Sequence, residues 1–481
     1  MPRNPDAADV ARDHAEPADA RTAGTPAEGP VETPAEASAP PRWEHWVPWA
    51  GVLVALALIA LAIVMPSILG QNVNVKSFPP LHADWMPRVG PGTIPAVLLA
   101  VLAVVFGVRA AERARWGVLL AGAFAVAAAW MASLALVDGL DGIGVILDTQ
   151  YEYLRTARAV TDFSATLHEY IAHIPLDSVD NWPVHIAGHP PGALLFFVVL
   201  VRLGLGSGLA AGCVVLLVGA TTPVAVLLAL RRLGAETWAR RAAPFLVMGP
   251  AAIWVAVSGD GMFAAFAAWG LCLLAFAATA RSRAAMAAWS VGAGLLLGYC
   301  VMLSYGLPLL GVLALAVLLL ARNWWPLPIA AVAAVCVVLA FWAFGFAWWD
   351  AYPVLVERYW DGIASRRQFT YWVWANVAAL AVSAGPIVGA AVGMAAARGI
   401  RLRSLVRGER VIVVLALAAA LTVLAADLSQ MSKAEVERIW LPFVPWLLVG
   451  TALLTPRWRR WGFAGQLAFA LAVQHLFFTG W

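Results

Sequence analysis

Long apolar runs separated by short polar segments dominate the chain from about residue 43 onward. Runs of about 20 residues recur, and an α-helix of that length crosses a bilayer hydrocarbon core of roughly 30 Å. The pattern predicts transmembrane helices near residues 47–69, 94–108, 117–137, 208–230, 242–257, 262–280, 285–304, 306–321, 326–346, 372–397, 411–427, 440–455 and 461–479. We therefore expect an all-α polytopic membrane protein with about 13 transmembrane helices.

Composition supports this class, because 62% of the 481 residues are hydrophobic and only 12% are charged. A soluble protein of this length does not need so much apolar surface. Residues 1–42 differ, since they are rich in Ala, Pro, Glu and Asp and lack apolar periodicity. That composition predicts a disordered tail. The four cysteines lie inside apolar runs, which favours small core residues over disulfides or metal ligands: Cys213, Cys272, Cys300 and Cys336.

Arginine clusters set the expected orientation. They occupy residues 109–115, 231–241, 281–283, 398–410 and 457–460. The positive-inside rule assigns these clusters to the cytoplasm, with the N-terminus inside and the C-terminus outside. The chain then divides into a cytoplasmic tail (1–42), two N-terminal transmembrane helices with their outer loop (43–115), and a transmembrane module (116–481) with a large outer loop (138–207).

The apolar run Pro190–Leu203 is too short to span a bilayer and has no basic flank of its own on the cytoplasmic side. Were it to cross, the Arg cluster at 231–241 and every later loop would change sides. We therefore expect a short helix that dips into the membrane from the outer face. The preceding GHPPG string fits its entry, because Pro190 and Pro191 preset the first helical turn and Gly192 permits a close approach.

Polar residues suited to catalysis or binding concentrate in four predicted outer segments: residues 138–207, SGDGMF at 258–263, residues 348–372 and residues 427–443. The carboxylates early in the long loop are Asp138, Asp141, Asp148 and Glu152. Further polar candidates are His185, His189, Asp260, Glu437 and Arg438. The tryptophans and tyrosines of the third segment favour an interfacial aromatic belt: Trp348, Trp349, Tyr352, Trp360 and Trp372.

Each of these acids also has a possible structural role, in addition to a role in catalysis or binding. Asp138 and Asp141 flank glycines and would also serve to turn the chain out of a span. Asp148 and Glu152 are four residues apart, so a helix would place both on one face, as would any solvated interfacial helix. Asp260 follows Ser258 and Gly259 and would also serve as a helix N-cap.

The remaining polar candidates have comparable alternatives. Glu437 and Arg438 would also form a local salt bridge at the end of a span. The four-residue spacing of His185 and His189 would suit a zinc pair on a helix. The double proline that follows His189 argues against one regular helix, so we predict no metal site there.

These features resemble the GT-C superfamily of membrane glycosyltransferases, over roughly residues 116–460, and uncharacterised actinobacterial membrane proteins of that group. The resemblance implies a polyprenyl-phosphate sugar donor, with arabinofuranose or mannose as the sugar and no certain cofactor, although a divalent cation is possible. It implies catalysis by acids of the first large loop, Asp138, Asp141, Asp148 or Glu152, with His189 and Asp260 near substrate. It places the site on the outer face of a bacterial cytoplasmic membrane and the acceptor in the envelope.

The chemistry agrees with that expectation. A sugar hydroxyl is a poor nucleophile and benefits from a carboxylate that accepts its proton. A phosphate leaving group needs cationic or hydrogen-bonding stabilisation, for which Arg438 and His189 are suited. Direct displacement would invert the anomeric centre. The alternative is a transporter or flippase for a lipid-linked envelope precursor, which the scarcity of ionisable residues inside the predicted spans disfavours.

Overall fold

The computed structural model describes residues 43–480, and the predicted tail at 1–42 lies outside these described residues. The described chain is almost entirely helical, with one two-stranded sheet, which confirms the all-α prediction. The helices of its first half are α1 (Trp43–Leu69), α2 (Thr93–Leu102), α3 (Val108–Arg113), α4 (Trp116–Ala135), α5 (Asp141–Gly144), α6 (Tyr153–Ala159), α7 (Phe163–Glu169), α8 (Val184–Ala187), α9 (Pro191–Arg202), α10 (Gly208–Ala220), α11 (Thr222–Arg232), α12 (Glu236–Val247) and α13 (Ala252–Val255).

The second half contains the longer helices that complete the bundle. They are α14 (Gly259–Ala278), α15 (Arg283–Leu303), α16 (Leu310–Ala321), α17 (Pro326–Ala343), α18 (Trp348–Asp361), α19 (Phe369–Ser383), α20 (Ile387–Gly399), α21 (Arg407–Leu428), α22 (Val436–Ile439), α23 (Val444–Leu448) and α24 (Pro456–Leu476). The strands are β1 (Asp84–Trp85) and β2 (Phe477–Phe478).

Eight helical stretches of the described chain are long and apolar enough to cross a membrane, and α19 with α20 forms a ninth if this pair, bent by 108°, is one span. The eight are Trp43–Leu69, Thr93–Arg113, Trp116–Asp138, Gly208–Arg232, Gly259–Ala278, Arg283–Leu303, Pro326–Ala343 and Arg407–Leu428. The protein is therefore a multi-pass membrane protein, as predicted.

Two further predicted spans are interrupted helices. The one expected at 242–257 consists of α12 and α13, with Pro244 inside α12 and a break at Met248–Ala251. Trp130 donates its indole N–H to the Gly249 carbonyl at 3.1 Å, which satisfies one backbone group that the break exposes. The span expected at 440–455 consists of α23 and a following 3-10 helix, Val449–Leu453. Non-helical backbone is tolerated at membrane depth only when protein surrounds it in this way.

Polar contacts gather at two separate ends of the bundle. At the first, here called the Arg-rich end, Arg398 binds Glu44 at 2.8 Å and Arg459 binds Glu112 at 3.2 Å. At the opposite end, here called the site end, β1 pairs antiparallel with β2 and so joins the loop after α1 to the end of α24. The 27-residue helix α1 connects the two ends, since Glu44 lies in its first turn and that loop follows its last.

Small residues allow α1 and α20 to pack at very close range. A Cβ added at Gly51 would lie 2.3 Å from the carbonyl oxygen of Gly389, and one at Gly389 would lie 2.1 Å from that of Gly51. Farther along α1, Tyr371 of α19 donates its hydroxyl to the Ala62 carbonyl at 2.8 Å. The bent α19–α20 pair therefore follows α1 along its length, in the small-residue packing common between membrane helices.

Helix α9 is the short helix that the GHPPG string predicted. It has 12 residues, with Pro190 at the N-cap and Pro191 at its first position. A Cβ at Gly192 would lie 2.5 Å from the Met302 carbonyl oxygen, so the close approach expected at this glycine is made by the end of α15. At the other end of α9, Arg202 donates to the Thr161 carbonyl at 2.6 Å. Both ends of α9 are thus tied to the site end of the molecule.

Two expectations about buried residues need correction. Cys213 and Cys336 are exposed on helix surfaces, whereas Cys272 and Cys300 are core residues as predicted. An apolar helix surface that faces lipid has the same composition as one that faces protein, so the sequence does not separate them. Trp372 is fully buried, so it belongs to the core rather than to an interfacial aromatic belt.

We predict that Gly51→Ala lowers the thermal stability of the purified protein. Alanine normally stabilises a helix by about 1 kcal/mol relative to glycine, but here its methyl group would force α1 and α20 apart. Gly122→Ala in α4 is the matched control, because nothing lies within 4 Å of a Cβ at that position. A melting temperature for Gly51→Ala equal to that of Gly122→Ala would show that the contact does not limit stability.

Candidate functional site

The loop 138–207 folds into short helices and 3-10 turns, and this corrects the expectation for Asp148 and Glu152. Asp148 ends a 3-10 turn, Ile146–Asp148, while Glu152 is the extended N-cap residue of α6. They therefore do not share a helical face. Arg158 holds both oxygens of Asp148, at 2.8 Å and 2.7 Å, on the surface. Glu152 points inward instead and is only 5% exposed.

Four predicted candidates meet in one buried cluster: Glu152, His185, Asp260 and Arg438. The His185 Nδ1 atom lies 2.8 Å from Glu152 Oε1. Arg438 Nη2 lies 3.0 Å from His185 Nε2, and Arg438 Nη1 lies 3.5 Å from Glu152 Oε1. Arg438 Nε lies 3.1 Å from Asp260 Oδ2. We call these four residues the charged cluster; they come from the loop before α6, from α8, α14 and α22.

The two ring nitrogens of His185 face different partners. Nδ1 faces the Glu152 carboxylate at 2.8 Å, a group that only accepts hydrogen bonds. The Arg438 guanidinium can only donate, so Nε2 is the acceptor of its N–H. The Nε2 lone pair of His185 is thereby turned toward Arg438.

The first turn of α14 brings Asp260 to the cluster. The N-cap of this helix is Ser258, whose hydroxyl accepts the Gly261 N–H at 3.0 Å. The capping role considered for Asp260 therefore belongs to Ser258. Asp260 is 6% exposed, and its carboxylate is free to pair with Arg438 beside the positive helix end.

Arg438 also approaches a residue that the sequence did not suggest. Glu435 Oε2 lies 3.9 Å from Arg438 Nη2, and its other oxygen lies 3.4 Å from Arg367 Nη2. Glu435 thus links the charged cluster to a second buried arginine. Among residues 43–480, the acids within ion-pair distance of Arg438 are Asp260, Glu152 and Glu435, so the local Glu437–Arg438 salt bridge considered from the sequence is not the arrangement found.

The chain before Arg438 has an unusual backbone. Ala434 and Glu435 are consecutive non-glycine residues in the left-handed region, with φ of 69° and 61°. Such a conformation costs on the order of 1–2 kcal/mol per residue. Asn376 holds it by accepting the Ala434 N–H at 3.1 Å, and Arg367 donates to the Lys433 carbonyl at 2.7 Å. Strain that is held so firmly is typical of functional sites.

His189 borders the charged cluster rather than joining it. Its Nδ1 lies 2.6 Å from the His185 carbonyl oxygen and 2.9 Å from the Tyr153 hydroxyl. Tyr170 donates to the His189 carbonyl at 3.1 Å and so fixes the turn before Pro190. The ring nitrogens of His185 and His189 thus have separate roles, and no group of three or more His, Cys, Asp and Glu that could hold a metal ion occurs within residues 43–480.

Asp138 and Asp141 lie at a different place. They line a cavity of about 140 Å³ together with Arg88 and Gln474. Arg88 forms a two-pronged ion pair with Asp138, and Gln474 of α24 donates to Asp138 at 3.2 Å. Asp141 is exposed. The structure therefore separates the two early acids from Glu152, which the sequence had grouped with them as alternatives.

The carboxylates at the site end differ in their affinity for protons. Burial alone would raise the pKa of Glu152, but His185 and Arg438 outweigh it and hold that pKa below its usual range. Burial raises the pKa of Glu437 to about 7, and neighbouring Glu435 contributes in the same direction. Glu437 is completely buried. Glu152 is therefore a permanent anion near neutral pH, whereas Glu437 titrates there.

Sequence reasoning missed Tyr153, Arg367 and Glu435 as parts of the site. Tyr153 adjoins Glu152 in the chain, and Arg367 lies in the outer segment 348–372, so proximity to predicted candidates was a usable signal for both. The only sequence feature that pointed to Glu435 as a site residue was its position three residues before Arg438. No protein-family model matches the chain. No curated protein matches it either.

We predict that Glu437 makes stability fall as pH rises. Its pKa is raised in the folded state, so folding is favoured while the group stays protonated and that advantage is lost above about pH 7. The full effect over pH 5–8 is on the order of 3 kcal/mol. Glu437→Gln should therefore raise the melting temperature at pH 8 relative to wild type and leave it almost unchanged at pH 5. An equal shift at both pH values would contradict the assignment.

Proposed function

We propose that the protein is a GT-C-type membrane glycosyltransferase that transfers a sugar from a polyprenyl-phosphate donor to an envelope glycan, lipid or protein. The observation that supports this most is the charged cluster, in which an arginine, a carboxylate–imidazole pair and a second carboxylate are buried together at the site end. We propose arabinofuranose or mannose as the sugar of the donor, because the sequence resembles the GT-C superfamily.

Arg438 is the proposed phosphate-binding residue. Its planar guanidinium presents several N–H donors in the fork geometry that fits phosphate oxygens. When the bond between the anomeric carbon and the phosphate oxygen breaks, the electron pair stays with the departing polyprenyl phosphate. Arg438 stabilises that charge in a site largely protected from water, where such contacts act most strongly.

The Glu152–His185 pair is the proposed proton acceptor. As Arg438 turns to the donor phosphate, His185 Nε2 becomes available to the acceptor hydroxyl. The hydroxyl oxygen bonds to the anomeric carbon while its proton passes to Nε2, and the negative charge of Glu152 stabilises the resulting imidazolium. A single displacement of this kind inverts the anomeric centre. Asp260 holds the guanidinium from the opposite side and so sets its position.

We further propose thirteen membrane crossings, with the Arg-rich end in the cytoplasm and the site end facing outward. The shorter helices α12–α13, α16 and α23 with its 3-10 extension, the bent pair α19–α20 and the 21-residue helix α24 supply the five crossings beyond the eight long apolar stretches. The sheet of β1 and β2 supports an odd number of crossings, because it requires the ends of α1 and α24 to lie on the same side. Helices α9 and α18 then lie near the outer membrane surface, where a lipid-linked donor would enter.

We expect Glu152→Gln to reduce sugar transfer by about 100-fold or more, the range that a general base contributes. Arg438→Gln should abolish transfer as well. The measurement is transfer from synthetic polyprenyl-phosphoryl arabinofuranose and mannose in membranes that contain equal amounts of each variant. Size-exclusion profiles in detergent check that each variant still folds.

Asp148→Asn is the matched control. It removes a carboxylate four residues from Glu152 whose ion pairs, with Arg158 at 2.7 Å and Arg155 at 3.8 Å, lie on the surface and are worth about 0–1 kcal/mol each. Transfer should stay near the wild-type rate. Folded Glu152→Gln protein with the same activity as Asp148→Asn would remove the charged cluster from the proposed mechanism.

The proposed orientation has a direct test in intact cells. Cysteines introduced at Ser164 and Ser365, in a background without the four native cysteines, should react with a membrane-impermeant thiol reagent, because both positions belong to the site end. A cysteine at the exposed Ser404, at the Arg-rich end, should react only after the cells are opened. Labelling of Ser404→Cys in sealed cells would invert the topology.

A further inference from the structure

A groove of about 830 Å³ lies between α1 and α24 at the Arg-rich end. The start of α20 forms its floor, and none of its lining residues belongs to the charged cluster. Its volume falls in the range of about 300–1,000 Å³ that is usual for pockets holding small molecules or cofactors. Nothing in the proposed glycosyl transfer uses this space.

The groove has its charged lining residues at one end, and its deeper lining is apolar except for Gln466. His45, Thr455 and Arg457 line it near the starts of α1 and α24, whereas Leu56 and Phe469 line it deeper in the bundle. Leu56 lies twelve positions after Glu44, a rise of about 18 Å along α1. That length approximates one leaflet of a bilayer whose hydrocarbon core is about 30 Å thick. The polarity and the depth therefore match a lipid of a single leaflet.

Tryptophans line the sides of the groove, which is exposed on the outer surface of the bundle. Trp49 of α1 meets Trp458 of α24 edge to face, with ring centroids 4.6 Å apart. Trp461 is 62% exposed and Leu56 is 42% exposed on the outer surface of the bundle. Tryptophan is enriched at the level of lipid headgroups. The groove is thus accessible sideways from the bilayer.

The charge at the polar mouth favours an anion. The one acidic lining residue there, Glu44, is already paired with Arg398 at 2.8 Å. Arg457 is exposed and has no ion pair among residues 43–480. An anionic headgroup would bring it the charge partner that the protein itself does not provide.

We propose that this groove binds one anionic phospholipid, with its phosphate at Arg457 and an acyl chain along Leu56 and Phe469. The lipid would join α1, α20 and α24, which meet here at the break between α19 and α20. The site is independent of the proposed glycosyl transfer, and its occupant is a structural lipid rather than a substrate.

The headgroup is tested with the full-length protein in detergent, by adding phosphatidylglycerol or phosphatidylcholine with identical acyl chains. Native mass spectrometry should show wild-type protein binding phosphatidylglycerol more tightly. Arg457→Gln should weaken that binding by about fivefold, the factor expected of one cationic side chain near an anionic lipid. Arg460→Gln, exposed in the same turn but outside the groove lining, should bind like wild type.

The chain-binding part is tested by filling the groove. Gly465 lines it, and nothing lies within 4 Å of a Cβ built there, so Gly465→Leu places a side chain into the groove from an unobstructed Cβ and favours the helix. This variant should fold yet lose both lipids, whereas Gly122→Leu in α4 should retain them. Equal binding of the two lipids by wild type, an Arg457→Gln variant that matches Arg460→Gln, or undiminished lipid on folded Gly465→Leu would each overturn the proposal.

Discussion

The buried positive charge of Arg438 is the constraint on which the site end depends. Only 4% of this residue is exposed, and a guanidinium does not lose its proton in a protein. A buried charge without a partner is destabilising by several kcal/mol, so carboxylates must reach it. Asp260 and Glu152 supply them from segments far apart in the chain. Charge compensation thereby fixes the first turn of α14, the loop before α6 and the start of α22 relative to one another.

The same requirement explains the strained chain before α22. Glu435 can lie beside both Arg438 and Arg367 because it and Ala434 adopt left-handed conformations. Asn376 accepts the Ala434 N–H and donates to Asp427 at 2.8 Å, so hydrogen bonds in the core hold the backbone in place. A guanidinium fixed in this way needs little reorganisation to meet a negatively charged substrate, which is the advantage of a preorganised polar site.

The sequence predicted the fold class and a set of candidates that includes the whole charged cluster, but it did not rank them. Apolar run length reports membrane helices directly, and so most spans were predicted near their observed positions. Glu152 and Asp148 looked equivalent because four-residue spacing has meaning only within a helix. The structure ends the 3-10 turn at Asp148 and begins α6 after Glu152. Which acid is buried depends on contacts with α8 and α22, and local spacing contains no information about those contacts.

The strained backbone at Glu435 and the burial of Trp372 are two further features that local sequence does not predict. The residues adjacent to Glu435 in the sequence do not predict two left-handed residues, because tertiary hydrogen bonds from distant segments stabilise them. Trp372 has the composition of an interfacial residue, yet it is buried against Arg367, whose guanidinium carbon lies 5.8 Å from its ring centroid. An aromatic residue at the end of a span can lie at the membrane interface or in the protein core, and the packing of the neighbouring helices determines which.

The charge balance of the site end adds a further constraint on any substrate. Three carboxylates, Glu152, Asp260 and Glu435, lie around the guanidiniums of Arg438 and Arg367. A bound phosphate would add negative charge to this group. If Arg438 turns toward such a phosphate, His185 loses the donor at Nε2 and gains the ability to take a proton, which restores the balance. Anion binding and proton uptake would then be coupled through one imidazole. In the proposed glycosyl transfer, the acceptor hydroxyl loses its proton as the new bond forms, and it would be the source of that proton.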